Sequence, residues 1–159
     1  MTDAITEIYE EQQRDSGTIT FRVEGQPVPL ARPRFNRYTK SVFTPTESQQ
    51  AKEAVRAAAT PYAPAEPTTG QVGVNALFTM RRPKDHYRTG KNAGKIKERY
   101  IDVPCFGKSD TDNHGKLVLD ALNGLYYVDD RQVTDIMFIK RYVGEGEEPY
   151  TFCSVWFAE

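Results

Sequence analysis

Asp110, Asp112 and Asp130, with Lys116 between them, are the residue types that hydrolysis of a phosphodiester bond requires. Such hydrolysis needs a hard cation on oxygen ligands, which activates water and offsets the charge that grows on the phosphate. Asp110 and Asp112 stand two apart in a segment expected to be extended, so their side chains can point the same way. A helix from Asp112 to Asn123 advances about 16 Å at about 1.5 Å per residue. The six residues that follow Gly124 can return about 20 Å if extended. Asp130 therefore has the reach to join the pair. Lys116 stands one turn beyond Asp112 on the same helix face, where it can neutralise a transferring phosphate.

Three neighbouring features read otherwise. Asp120 falls about 12 Å along the helix from Asp112, too far to share one ion, and is assigned a structural role. Asp110-Thr111-Asp112-Asn113-His114-Gly115 copies the first half of an EF-hand loop, but its twelfth position is Ala121, where a bidentate Glu is required. His114, a single histidine in a first helical turn, is expected to be exposed and idle. Taken singly, Asp112 can be a helix cap, Asp129-Asp130 a solvated turn and Lys116 an ion-pair partner. Their spacing makes them a candidate set.

The elements that must position these groups are legible as periodicities. Residues 18–23 alternate as a strand. Residues 25–34 hold three prolines within a short run, which favours an extended loop. Thr44-Pro45-Thr46-Glu47 predicts a helix start with Thr44 as N-cap and Glu47 closing a capping box; that helix stops before Pro61. Residues 61–69 form a connector, and residues 72–80 alternate as a second strand. Residues 113–123 predict a helix capped by Asp112 and ended by Asn123-Gly124, and residues 125–128 are a short aromatic stretch. Residues 133–143 and 150–157 predict strands that the polar turn 144–148 joins as a hairpin. The order β-α-β-α-β-β implies one α+β domain over residues 17–159, a mixed sheet packed by two main helices.

Composition limits the alternatives. With 159 residues, 38% hydrophobic, the chain suffices for one modest core. The net charge of −1 gives no global pull toward nucleic acid, so that case rests on local clusters. Arg32, Arg34, Arg37 and Lys40 form one cluster, interleaved with Phe35 and Tyr38. Arg81, Arg82, Lys84, Arg88, Lys91, Lys95, Lys97 and Arg99 form a denser one. Positive fields of this kind bind phosphates and would flank an acidic site that otherwise repels DNA. The second cluster lies in a polar segment, residues 81–100, poor in large apolar side chains. It is expected to be mobile until phosphate orders it, with packing against a partner subunit as the alternative. Cys105 and Cys153 read as free thiols. Residues 1–16 read as a disordered acidic tail without the apolar run of a signal peptide, and no segment reads as a membrane span.

Asp110-Thr111-Asp112-Asn113, Lys116, Leu119-Asp120-Ala121-Leu122 and Val128-Asp129-Asp130-Arg131-Gln132-Val133 together resemble the RusA family of Holliday junction resolvases. Pro27-Val28-Pro29, Arg32-Pro33-Arg34 and the segment before the first helix match its pattern too, so the resemblance spans about residues 18–143. It implies a homodimer that cuts four-way DNA junctions by symmetric nicks using Mg²⁺, with Mn²⁺ as a substitute. It places the catalytic carboxylates on Asp110, Asp112 and Asp130 and the essential lysine on Lys116. It also implies a phage- or prophage-encoded protein acting in the bacterial cytoplasm. Two positions depart from the pattern: Ser109 stands where proline is usual, and His114-Gly115 replace stronger helix formers. The competing readings are a nuclease for other branched DNA, such as forks, and a protein that binds junctions without cutting them. The three intact carboxylates argue against the latter.

Overall fold

The computed structural model describes residues 17–107 and 109–158; the expected acidic tail lies outside them. In chain order the elements are β1 (Thr18–Glu24), β2 (Arg34–Asn36), β3 (Ser41–Phe43), α1 (Thr46–Ala59), β4 (Val72–Met80), α2 (Thr111–Leu122), β5 (Val133–Tyr142) and β6 (Tyr150–Phe157). A mixed four-stranded sheet runs in the order β1-β6-β4-β5, and β2 and β3 form a separate two-stranded hairpin. This is the expected α+β architecture. Among the described residues no helix is long and apolar enough to cross a membrane.

β4 is the centre of the molecule and is buried at every position. It pairs parallel with β5 on one edge and antiparallel with β6 on the other. Val72, Val74, Ala76 and Phe78 join Val55 and Ala59 of α1 and Leu117, Val118, Ala121 and Leu122 of α2 in one core. The opposite side of the strand carries Leu77, packed with Tyr150 and Phe152. Burial on both faces leaves polar β4 atoms in need of partners. The Thr79 hydroxyl meets that need by donating to the Tyr150 carbonyl and accepting from the Tyr150 amide.

The expected β5–β6 hairpin does not form. A strand buried on both faces needs a ladder on both edges, and β4 takes β5 on one and β6 on the other. The turn between them therefore crosses the end of β4, where the Val143 amide donates to the Met80 carbonyl at 2.9 Å. A half-buried Arg141–Glu147 ion pair at 2.8 Å folds that crossing, and Glu147 also accepts from the Gly144 amide.

The start of α1 also differs from expectation. Pro45 takes the N-cap position and no side chain caps the helix. A reciprocal box needs an N–H at the N-cap, which proline lacks. The proline-rich segment is instead stitched to both helices. The Ala31 amide donates to the Ser48 hydroxyl, which donates to the Pro29 carbonyl, and the Leu30 amide donates to the Asn113 carbonyl.

Residues 81–100 are not the loose loop expected. Arg82 is buried, and its guanidinium donates to the carbonyls of Val143, Tyr100 and Ile101. His86 stacks on Tyr100 with ring centroids 4.1 Å apart and meets Tyr142 edge-on. The Lys97 amide donates to the His86 carbonyl, and the Arg88 amide to that of Lys95. One arginine and one histidine thus supply the anchoring that a shortage of aliphatic side chains had argued against.

Gly115 looks like a weak residue for a first helical turn, but its lack of a side chain lets α2 approach the sheet. A Cβ there would lie 2.1 Å from the Phe138 ring of β5. Phe138 in turn packs against Phe78. Gly115→Ala gains about 1 kcal/mol of helix propensity but forces overpacking that costs about 1–3 kcal/mol. The expected outcome in urea unfolding is net destabilisation of about 1 kcal/mol. A more stable variant would show that Phe138 swings clear.

Candidate active site

Asp110 and Asp112 stand at the beginning of α2. Asp110 occupies the N-cap position in an extended conformation, two residues earlier than the expected Asp112, and its carboxylate makes no capping hydrogen bond. Its backbone carbonyl accepts from the amides of Asn113 and His114 instead. Both carboxylates are exposed and line one open cleft of about 550 Å³, together with Ser109, Cys105, Phe106 and Lys140. They also lie at the positive end of the helix dipole.

Lys116 donates to Asp112 at 3.2 Å across one helical turn, and both side chains are more than half exposed. A pair so placed contributes little stability, so the lysine is free to turn toward another anion. Asp129 and Asp130 divide their roles. Asp129 caps the short turn Asp130–Gln132 and is gripped by the Arg131 guanidinium, which holds its carboxyl far below the usual range. Gln132 ties that turn to the carbonyls of Thr68 and Gly70. Asp130 is exposed.

The return of the chain after α2 is shorter than the extended estimate. Leu125 and Tyr126 donate back to the Leu122 carbonyl and Gly124, at φ +75°, donates to that of Tyr127, so residues are used in turning. Asp130 consequently acts on Tyr127, alongside Asp120. Burial, with these two carboxylates, pushes that phenol up, and its hydroxyl donates to the Leu119 carbonyl. Asp130 is absent from the cleft lining that Asp110 and Asp112 share. Among the described residues, no three His, Cys, Asp or Glu side chains converge closely enough to hold a metal ion. The donor chemistry nonetheless fits a hard cation: carboxylate oxygens, solvent-accessible, and not committed to caps.

Two residues near the cleft gain roles that the sequence did not suggest. Lys140 reaches from β5 to donate to the Ser109 carbonyl at 2.5 Å. His114 is fully buried rather than exposed, and its Nε2 lies 2.7 Å from the Ser109 hydroxyl. Burial, reinforced by Lys140, lowers its pKa to about 4, so it is neutral at pH 7 and only a weak base. The two departures noted in the sequence thus bond to each other: Ser109 lacks the stiffness of proline, and His114 with Lys140 fixes it from outside. The signal for Lys140 was a cation on the same face of an alternating strand as Phe138 and Tyr142.

The basic residues separate into two groups. Arg32, Arg34, Arg37 and Lys40 are exposed, and none bonds a described side chain; Arg81, Lys91 and Lys95 are exposed as well. Arg82 is removed from the set of candidate phosphate contacts, because its donors are spent on three backbone carbonyls in the interior. Lys97 has its ammonium on the Asp85 carbonyl at 2.7 Å.

The profile of a protein family described as "Endodeoxyribonuclease RusA" matches residues 24–148, a range that contains Asp110, Asp112, Lys116, Asp130 and the basic clusters. A protein of Bacillus subtilis (strain 168), described as "Uncharacterized protein YqaN", is 34% identical over 133 residues, covering 82% of this chain and 90% of that protein.

The buried histidine makes a prediction about pH. In the unfolded chain His114 titrates near its ordinary 6.5, and in the folded chain at about 4. Between those values the unfolded state binds more protons, so stability falls as the pH drops from 6.5 toward 4. In denaturant unfolding at pH 7, 6 and 5, the slope should flatten in His114→Gln, which keeps a partner for Ser109. An equal slope in the variant would show that the imidazole takes its proton in place.

Proposed function

The chain belongs to the RusA family of endodeoxyribonucleases, and from that premise we propose that it resolves four-way DNA junctions by paired nicks. The observation that carries this reading is the pair of exposed carboxylates, Asp110 and Asp112, uncapped and facing one cleft at a helix N-terminus.

In this reading Asp110, Asp112 and Asp130 hold a divalent cation, Mg²⁺ or Mn²⁺. Such an ion lowers the pKa of a bound water and offsets charge on the scissile phosphate. Asp130 would be the third ligand, supplied by the turn Asp130–Gln132. Lys116 leaves Asp112 for a phosphate oxygen, which carries more negative charge in the transition state than in the substrate. Lys140 holds the Ser109 carbonyl and so keeps Asp110 facing the cleft. Arg32, Arg34, Arg37, Lys40, Arg81, Lys91, Lys95 and Lys97 supply phosphate contacts, the last by giving up its bond to the Asp85 carbonyl.

Paired nicks require two copies of the site on one junction, which a homodimer provides. The outer edge of β5 supports such pairing, because Ile136 and Met137 are exposed along it. The setting proposed is the bacterial cytoplasm, with the protein carried by a phage or prophage.

The test is incubation with an end-labelled four-way junction in Mg²⁺, in Mn²⁺ and in EDTA, with a fork and a duplex of the same sequence beside it. Cutting of the junction is expected only with a cation. Cutting of the fork alone would favour the broader branched-DNA reading, and binding without cutting would remove the nuclease assignment.

Two substitutions separate chemistry from affinity. Asp112→Asn should lower single-turnover cutting by about 100-fold or more while leaving junction affinity in Ca²⁺ nearly unchanged. Near wild-type cutting by this variant would contradict the ligand assignment. Lys116→Met should lose turnover more than affinity. A fall in affinity alone would make Lys116 an ordinary phosphate contact.

A further inference from the structure

The β2–β3 hairpin is the least accounted-for part of the surface. Phe35 and Val42 are paired across it, so their side chains share one face, with Phe35 61% and Val42 68% exposed. On the other face Arg34 is paired with Phe43, which is also exposed. At the tip Tyr38 is 98% exposed. The tip is nonetheless fixed: the Asn36 side-chain carbonyl accepts from the amides of Tyr38 and Thr39. The hydroxyls of Thr39 and Ser41 lie 2.6 Å apart. Lys40 adopts φ +51°, a left-handed conformation uncommon outside glycine. A preorganised turn therefore holds an aromatic ring in water, where it makes no ring contact with a described residue.

The charge around these rings identifies what they would meet. From residue 31 to residue 46 there are four cations, Arg32, Arg34, Arg37 and Lys40, and no acid. A second copy would bring the same positive charge against this surface. Nucleic acid answers both features together, because its phosphates complement the cations and its bases have π faces that stack on aromatic side chains. Bases inside an intact duplex are already stacked on each other. Those at a branch point, or in a single strand, are the ones available.

We propose that this hairpin is a stacking site for unpaired nucleobases. Tyr38 and Phe35 take bases that have left the helical stack at the branch, and Arg34, Arg37 and Lys40 hold the flanking phosphates. The proposal rests on the reading that the substrate is branched DNA, and it adds how the branch is told from the arms. Phosphate contacts alone would bind duplex and junction arms alike. Rings that can be covered only by an unstacked base add affinity at the branch and none along the arms.

The test uses the full chain in Ca²⁺ without Mg²⁺, so that binding is read without cutting. Four DNAs of one sequence are compared: a four-way junction, a fork, a single strand and a duplex. Each branched DNA carries 2-aminopurine at the branch nucleotide, whose emission is quenched by stacking. Tyr38→Ala and Phe35→Leu are expected to weaken binding to branched and single-stranded DNA by about tenfold each, and to duplex by less than about twofold. At saturating protein the branch fluorophore should be dimmer with the wild type than with Tyr38→Ala. Tyr38→Trp should restore both affinity and quenching.

Equal loss on duplex and junction, or equal emission with wild type and Tyr38→Ala, would overturn the proposal. So would a change in the molecular mass of the DNA-free protein in either variant, since the rings would then cover a second copy. Failure of the resolvase reading has a different signature: tenfold selectivity for forks or single strands that depends on Tyr38, with no junction cutting in Mg²⁺.

Discussion

The candidate site depends on how closely the first turn of α2 is pressed against β5 and fixed there. Gly115 leaves room for the Phe138 ring, His114 fills the interior behind it, and the Ser109 segment is held from two sides by His114 and Lys140. Asp110 follows Ser109 directly, and Asp112 is one residue into the helix. Two exposed carboxylates on a loop would scatter over many rotamers and backbone states. On a helix end bonded to the sheet at both Ser109 and Phe138, they start near one geometry, which is what a cation site requires.

Charge works against that site until something positive enters it. Asp110 and Asp112 are favoured by the helix dipole, by Lys116 one turn away and by Lys140 across the cleft. The dipole contributes about 0.3–1 kcal/mol for an exposed charge, and the exposed Lys116–Asp112 pair about the same. Neither matches the repulsion of a third carboxylate brought to contact distance, about 4 kcal/mol per close pair at an effective dielectric of about 20. The position of Asp130, beside Tyr127 and away from the cleft lining, goes with the residues spent on the turn at Gly124. The two lysines nearest the pair differ: Lys116, in an exposed ion pair, can exchange its partner for a phosphate, while Lys140 stays on the Ser109 carbonyl and holds that segment.

Much of this was legible in the residues. The strands 72–80 and 150–157 were bounded correctly because alternation and β-branched content mark them, and α2 ended at Asn123-Gly124 as its stop signal required. That Asp110 and Asp112 share one cleft was legible because they stand two apart where the helix begins. Strand partners were not legible: 133–142 and 150–157 are joined by a polar turn that resembles a hairpin, and only the burial of β4 on both faces explains why they stand apart. Buried polar residues were the other blind spot. Arg82 sat in a run of exposed cations and turned inward because three carbonyls at the chain crossing needed donors. His114 looked like a surface residue until the hydroxyl of Ser109 gave it a partner inside. Single-residue polarity does not reveal such partners, since they come from segments distant in sequence.

The measurement that tests the central claim most directly is Mn²⁺ binding by water-proton relaxation, on full-length protein with a four-way junction whose scissile phosphate is replaced by a non-cleavable linkage. Bound Mn²⁺ is expected in the wild type, and its loss when Asp110, Asp112 or Asp130 is changed singly to Asn. DNA binding should persist in each variant. Unchanged Mn²⁺ binding in Asp110→Asn and Asp112→Asn, or in Asp130→Asn, would contradict the three-carboxylate site.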